Sequence, residues 1–407
     1  MFFKKPTLLL LAYILTVTSF FPSADAEERA YKYYAPNGQR IGWIDGYESG
    51  ATWFGEDFAY DITDEEACWE LLQRPITVLD VGEKQTVFPL DAPNGNRVLT
   101  EWQGGAVNGS LAAVRPLSGD EDGWTLIEWM DCYDRRLQGY VRTNLLKTVV
   151  PHKQFGIIID KLYQRLYMFI DGKLWSSCAI STGLWNEKQP YNETNTGEFL
   201  IGSWVGGFDS EGMYCDMAIR FNGGDLLHMV PGLTLSDGSR RYDRFEALLG
   251  QKASHGCVRI PRVANAEGLN IQWLWGNLKK GTKVIVWDDD GRLLPYPDDS
   301  LKLYYNPDGG KNYHALENCS AVRSRFLPLA GFTYAEMENS PYDKLTPCGG
   351  CSPVMRKSEI DQGNLTRGAV KEADLQSSLS VSMSEAVVAG DGSDDPTHFP
   401  VEIVVAQ

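Results

Sequence analysis

The sequence is short of positive charge: 38 lysines and arginines stand against 54 aspartates and glutamates, a formal net charge of -16 over 407 residues. Binding to nucleic acid requires clustered Lys and Arg to neutralise phosphates, so this balance excludes that class of partner. Histidine is scarce as well. Chemistry that needs an imidazole has only five to draw on: His152, His228, His255, His314 and His398. After the N-terminal segment no apolar run is long enough for a transmembrane helix. No cysteine directly follows the Ala24-Asp25-Ala26 box, which argues against a lipid anchor there.

That N-terminal segment has its own logic. Met-Phe-Phe-Lys-Lys is a basic start, Leu8 to Phe21 is an apolar run too short to span a bilayer comfortably, and the Ala-x-Ala box precedes Glu27-Glu28. Residues 1–26 are therefore expected to be a signal peptide cleaved near Ala26, with the mature chain exported to the cell envelope, the periplasm or the outside.

The length implies several modules, and the pattern implies a mainly β, multi-domain protein. Residues 30–150 carry short apolar runs broken by turn signals and predict a small all-β region. From Phe155, "FGIIID" and "RLYMFI" have strand length and no polar face, and Asp171-Gly172 predicts a hairpin turn into "KLWSSCAIS". "GEFLIGSWVGG" and "MYCDMAIRFNGGDLLHMV" add strands. After Cys257 a helix is predicted, with Pro261 in its first turn and Ile271, Leu274, Trp275 and Leu278 at helical spacing; "KVIVW" then closes a domain over 153–288. A compact module follows over 299–355, and residues 356–407, poor in aromatics and rich in Ser, Asp and Glu, are expected to be a disordered tail.

The chemistry concentrates in "QKASHGCVRI". A thiol becomes a useful nucleophile when positive charge, backbone N–H groups or an imidazole brings its pKa from about 8.5 towards neutrality. Gly256 lets the backbone approach a substrate, and its N–H with that of Cys257 could form an oxyanion hole. A thiol before a helix would also feel the positive end of the helix dipole. The plainer alternative is a buried cysteine beside a surface histidine.

The string "SHGCVRI", with an upstream strand ending in His228, resembles the catalytic domain of the L,D-transpeptidases of the YkuD type. The resemblance implies a β-sandwich-like domain in which Cys257 is the nucleophile and His228 its general base and acid. It further implies that His255 orients the loop, that Gly256 and Ser254 shape the oxyanion elbow, and that Arg259 holds the elbow or a substrate carboxylate. Three departures stand out: an insertion "TLSDGSRRYDRFEALLG" before Ser254, Met229 where glycine is common, and Asn195 in place of a turn proline. The implied activity is that of a cysteine acyltransferase on peptidoglycan stem peptides, releasing D-alanine and passing the acyl group to an amine, with no cofactor and with carbapenem β-lactams as inhibitors. Water as acceptor would make an L,D-carboxypeptidase instead. From another class, a non-catalytic wall-binding protein is the rival. "NGSLAAVRPLSGDEDGWTLIEW" with "QGYVRTNLLK" resembles the bacterial SH3-like fold, which implies wall docking and a region whose deletion spares thioester formation.

A second cluster, His314, Cys319, Cys348 and Cys351, has the count and donor types of a structural zinc site and resembles small metal-binding modules of exported proteins. A disulfide, Cys348–Cys351 or Cys319–Cys348, and a redox Cys-x2-Cys are the alternatives. Cys68 and Cys132 are a further candidate bridge; Cys178 and Cys215 fall in predicted strands.

Overall fold

The computed structural model describes residues 53–369 except 56–57, 100–103, 186–188, 211, 320, 349–350, 352 and 368. The expected signal peptide, residues 30–52, His398 and the tail from 370 lie outside the described residues. None of the described helices is long and apolar enough to cross a membrane.

The region expected to be all-β contains a helix, α1 (Glu65–Gln73). Asp64 caps it by accepting the Ala67 N–H at 3.0 Å, and Glu65 and Glu66 sit where the helix dipole favours acidic groups. Strand β1 (Ile76–Leu79) follows, and the long pair β2 (Trp124–Met130) and β3 (Arg136–Arg142) runs antiparallel before β4 (Leu146–Val149) returns to β1. Leu79, Val107, Ile127, Trp129, Leu137 and Val141 form this unit's core.

Two sheets make the next unit. In the first, β5 (Phe155–Asp160), β6 (Arg165–Ile170), β7 (Lys173–Ala179) and β8 (Gly197–Leu200) combine with a late strand, giving five strands. The Asp171-Gly172 turn joins β6 to β7 as expected, with φ of +49° and +87°. The second sheet contains β9 (Trp204–Ser210), β10 (Met213–Arg220), β11 (Leu226–Met229), β12 (Gly232–Thr234) and β13 (Val258–Ile260). Between the sheets lies the largest core, which also takes Ile271 and Leu274 of α2 (Ile271–Asn277). Strand β14 (Lys283–Trp287) then pairs in parallel with β5 and antiparallel with β8.

Two expectations are corrected here. Pro261 is not in the first turn of a helix: α2 starts at Ile271, capped by the Asn270 side chain, which accepts the Trp273 N–H at 2.8 Å. The segment directly after Cys257 is instead β13, so no helix dipole reaches the thiol from that side.

The first two units share their cores. Cys68 and Leu72 of α1 cover Ile158, Tyr167, Phe169, Ile285 and Trp287 on the outer face of the first sheet, which is why its strands read as continuous apolar runs. Lys283, fully buried, caps α1 by donating from Nζ to the carbonyls of Leu71 (2.7 Å) and Arg74 (3.0 Å). The free edge of β8 is paired by Leu111 and Ala113. Deleting the N-terminal region would therefore uncover one face and one edge of the 153–288 sheet, which runs against the expectation that such a deletion spares thioester formation. Cys68 and Cys132 are both free thiols, so the bridge proposed for them is absent.

Beyond β14, strands β15 (Lys302–Tyr305), β16 (Asn312–His314), β17 (Ala330–Thr333) and β18 (Thr346–Pro347) form a four-stranded sheet in the order β17-β15-β16-β18. Residues 356–407 are not disordered from their start, because α3 (Lys357–Thr366) is helical. Its Asn364 holds Leu294 by two backbone hydrogen bonds of 2.9 and 3.0 Å, and Ile360 is buried. Low aromatic content did not reveal these anchoring contacts.

Candidate active site

β11 and β13 run parallel in the register Leu227–Val258, His228–Arg259 and Met229–Ile260. Leu227, Met229, Val258 and Ile260 all enter the central core. Strand alternation therefore turns His228 and Arg259 to the opposite face, as neighbours on adjacent strands. Cys257, one residue before β13, is partly exposed, and its sulfur accepts the Leu226 N–H. The fold thus brings His228, Arg259 and the Cys257 loop to one region of one sheet face. His255 is exposed, whereas Ser254 is buried.

The elbow is held from several sides. Ser254 Oγ donates to the Cys257 carbonyl. The Ser254 N–H donates to Thr182 O at 3.0 Å, and its own carbonyl accepts the Leu184 N–H at 2.9 Å. Thr194 Oγ1 donates to the Gly256 carbonyl at 2.7 Å while accepting the Gly183 N–H at 2.8 Å. Gly256 has φ +110°, and a Cβ there would stand 2.6 Å from Asp225 Oδ1. Only glycine satisfies both conditions.

Behind this lies a buried charge network. Lys161 Nζ meets Asp134 at 2.8 Å and Glu193 at 3.1 Å, and it donates to Thr194 O at 3.1 Å. Lys252 joins Glu193 and Asp289, each at 2.8 Å. Removing one partner would strand an uncompensated buried charge, a loss of roughly 3–5 kcal/mol. Asn195, the departure from the turn proline, donates to Asp131 O at 2.8 Å and accepts from Asn222 at 3.0 Å, tying the N-terminal unit to the elbow's support. The insertion before Ser254 also packs: its Phe245 is buried, with the Arg259 guanidinium 5.4 Å from the ring centroid.

The electrostatics do not bring the thiol towards neutrality. Burial, then the nearby Asp225 carboxylate, push the Cys257 thiol up to about 12. Burial drives His228 down to about 4 even though its Nδ1 bonds the Met229 carbonyl at 2.7 Å; Arg259 adds to the fall. At neutral pH both groups are uncharged. Since a carbonyl only accepts, Nδ1 carries the proton and Nε2 is left with its lone pair. Arg259 is buried, and among the described residues its Nε and Nη1 have no hydrogen-bond partner.

Asp225 was missed in the sequence, where it lies in a stretch taken to supply strands. Burial raises its carboxyl to about 6, opposed by the Asn222 amide, which donates to Oδ2 at 3.1 Å, and aided by Asp134. A folded pKa above the unfolded 3.8 means that its stabilising contribution is complete below about 3.8 and lost as pH rises through about 6. Asp225→Asn is expected to raise stability at pH 7.5 by on the order of 3 kcal/mol but hardly at pH 4. It is also expected to speed Cys257 alkylation, since one anion beside the sulfur is gone. Denaturant melts at both pH values and iodoacetamide kinetics check this.

Residues 154–286 match the YkuD family model, described as the L,D-transpeptidase catalytic domain. Solved structures similar to the chain include an L,D-transpeptidase from Stackebrandtia nassauensis at 21% identity, covering 33% of this chain and 56% of that one, with a TM-score of 0.25. The catalytic domain of the E. faecium L,D-transpeptidase is 19% identical over 33% of this chain and 98% of its own, with a TM-score of 0.22. An L,D-transpeptidase from Mycobacterium tuberculosis H37Rv is 15% identical over 58% of this chain and 89% of its own, with a TM-score of 0.25. The chain spans little over half the length of the first of these, 56%. No curated protein matches it.

Proposed function

We propose that the protein is an exported cysteine acyltransferase acting on peptidoglycan stem peptides, an L,D-transpeptidase. One observation carries the reading: within the segment that matches the family model, His228 with a free Nε2 lies on the strand adjacent to the one that Cys257 introduces. Because thiol and imidazole are neutral at rest, the proton moves as the bond forms. His228 Nε2 takes the thiol proton while Sγ attacks the carbonyl between the third-position diamino acid and D-alanine. The C–N bond then breaks, the imidazolium gives its proton to the departing amine, and a thioester remains. An acceptor amine attacks next and gives its proton to His228; the C–S bond breaks and the thiol is restored.

The N–H groups of Gly256 and Cys257 are assigned to the oxyanion, and Arg259, with unpartnered nitrogens, to a substrate carboxylate. The reaction draws on thiol, imidazole and amide groups alone. The β unit around β2 and β3 is assigned to wall contact, in keeping with its SH3-like sequence, and carbapenems to acylation of Cys257. Export rests on the N-terminal residues. The test is digestion of muropeptides by the mature protein with mass spectrometry: new cross-links support transpeptidation, D-alanine release alone makes it a carboxypeptidase, and unchanged muropeptides overturn the proposal.

A further inference from the structure

The four chemistry-bearing side chains of the C-terminal module lie outside the 153–288 domain and its elbow, and they converge. β16 ends at His314, and β18 lies parallel to β16, so that Cys348, just past β18, donates its N–H to Tyr313 O at 2.9 Å. Cys319 comes from the turn after β16, and the chain brings Cys351 back so that its sulfur accepts the Ala315 N–H at 3.3 Å. One ligand atom from each of His314, Cys319, Cys348 and Cys351 lies within 4.8 Å of all the others.

The spacings discriminate among the alternatives. Cys319 Sγ and Cys348 Sγ are 3.9 Å apart, and Cys351 Sγ is 3.7 Å from His314 Nδ1. A disulfide holds its sulfurs at about 2.0 Å. Two thiolates at tetrahedral positions, each about 2.3 Å from one zinc ion, stand about 3.8 Å apart, and a thiolate and an imidazole nitrogen about 3.6 Å. These two edges are those of the tetrahedron, and the remaining ligand atoms lie within 4.8 Å of one another.

The surroundings agree. His314, Cys319 and Cys348 are buried, and the sulfurs are enclosed by Leu329, Leu327, Val322 and Tyr304, which offer no competing side-chain acceptor except the Tyr304 hydroxyl. Soft sulfur donors with one imidazole select zinc over magnesium or calcium. The module also needs a staple, since its apolar core is small: Leu303, Tyr313, Phe332, Tyr334, Met337 and Leu345.

We infer that His314, Cys319, Cys348 and Cys351 bind one zinc ion in a closed Cys3His site that holds the C-terminal module together. Binding releases three thiol protons to solvent and leaves no coordination position for substrate, so the role is structural. The test is elemental analysis of the full mature protein purified without chelator, with intact mass measured under non-reducing conditions. About one equivalent of zinc per chain is expected, with all three thiols reduced. Cobalt exchange should produce the absorption bands of a tetrahedral thiolate site. Cys351→Ser should lose the bound equivalent, and Cys257→Ala should keep it. Less than a tenth of an equivalent, both as purified and after refolding with excess zinc, overturns the inference. A disulfide within the cluster overturns it too, as does zinc that survives both Cys351→Ser and Cys319→Ser.

Discussion

Cys257→Ala is expected to abolish turnover and leave the fold standing. The side chain is partly exposed and belongs to no apolar core cluster, so truncating it should cost little stability. The chemical loss should be complete: no thioester, no released D-alanine, and no mass increase with a carbapenem. Resting pKa does not single this thiol out. Burial raises Cys68 and Cys215 to about 11 and Cys132 and Cys178 to about 12, much as it raises Cys257. What differs is position, beside the strand that carries His228, with Leu226 N–H on the sulfur and Gly256 opening the approach. Peptide mapping of a carbapenem adduct should therefore find Cys257 alone, and an adduct that persists in Cys257→Ala would sink the assignment.

His228→Ala is expected to lower kcat/KM by roughly 10²–10⁴-fold with the fold retained. The pH profile tests the assignment more sharply. A histidine held down to about 4 is already a competent base at pH 5, so the acid limb of kcat/KM should fall near 4 and not near the 6.5 of an ordinary imidazole. Asp225, raised to about 6, should add an inflection there that survives in His228→Ala and vanishes in Asp225→Asn. Near-wild-type rates in His228→Ala would move the base to exposed His255.

The elbow was legible because it is contiguous: Ser254 to Arg259 sit in one short string that places histidine, glycine and cysteine side by side. The hairpin at Asp171-Gly172 and the buried strands were legible for the same reason, since turn chemistry and hydrophobic runs are local. α1 was misread because nine residues with a modest apolar stripe do not disclose what they cover, in this case a sheet face far along the chain. Thr194, Asn195, Asp225 and Lys161 were silent or looked like turn residues. Their contacts join positions dozens of residues apart, as Thr194 to Gly256 and Asn195 to Asp131 do.

By themselves, the amino acids determined which atoms were available: a thiol in a Ser-His-Gly-Cys string, a handful of imidazoles, and a set of soft donors at ligand spacing. They also determined the strand periods that make a mainly β chain. The tertiary structure alone decided the charge on those atoms, because protonation depends on burial and on neighbours from distant strands. Packing made Cys257 and His228 a neutral pair, where the elbow string suggested a thiol brought towards neutrality. It also brought four donors from separate stretches of the chain within reach of a single ion.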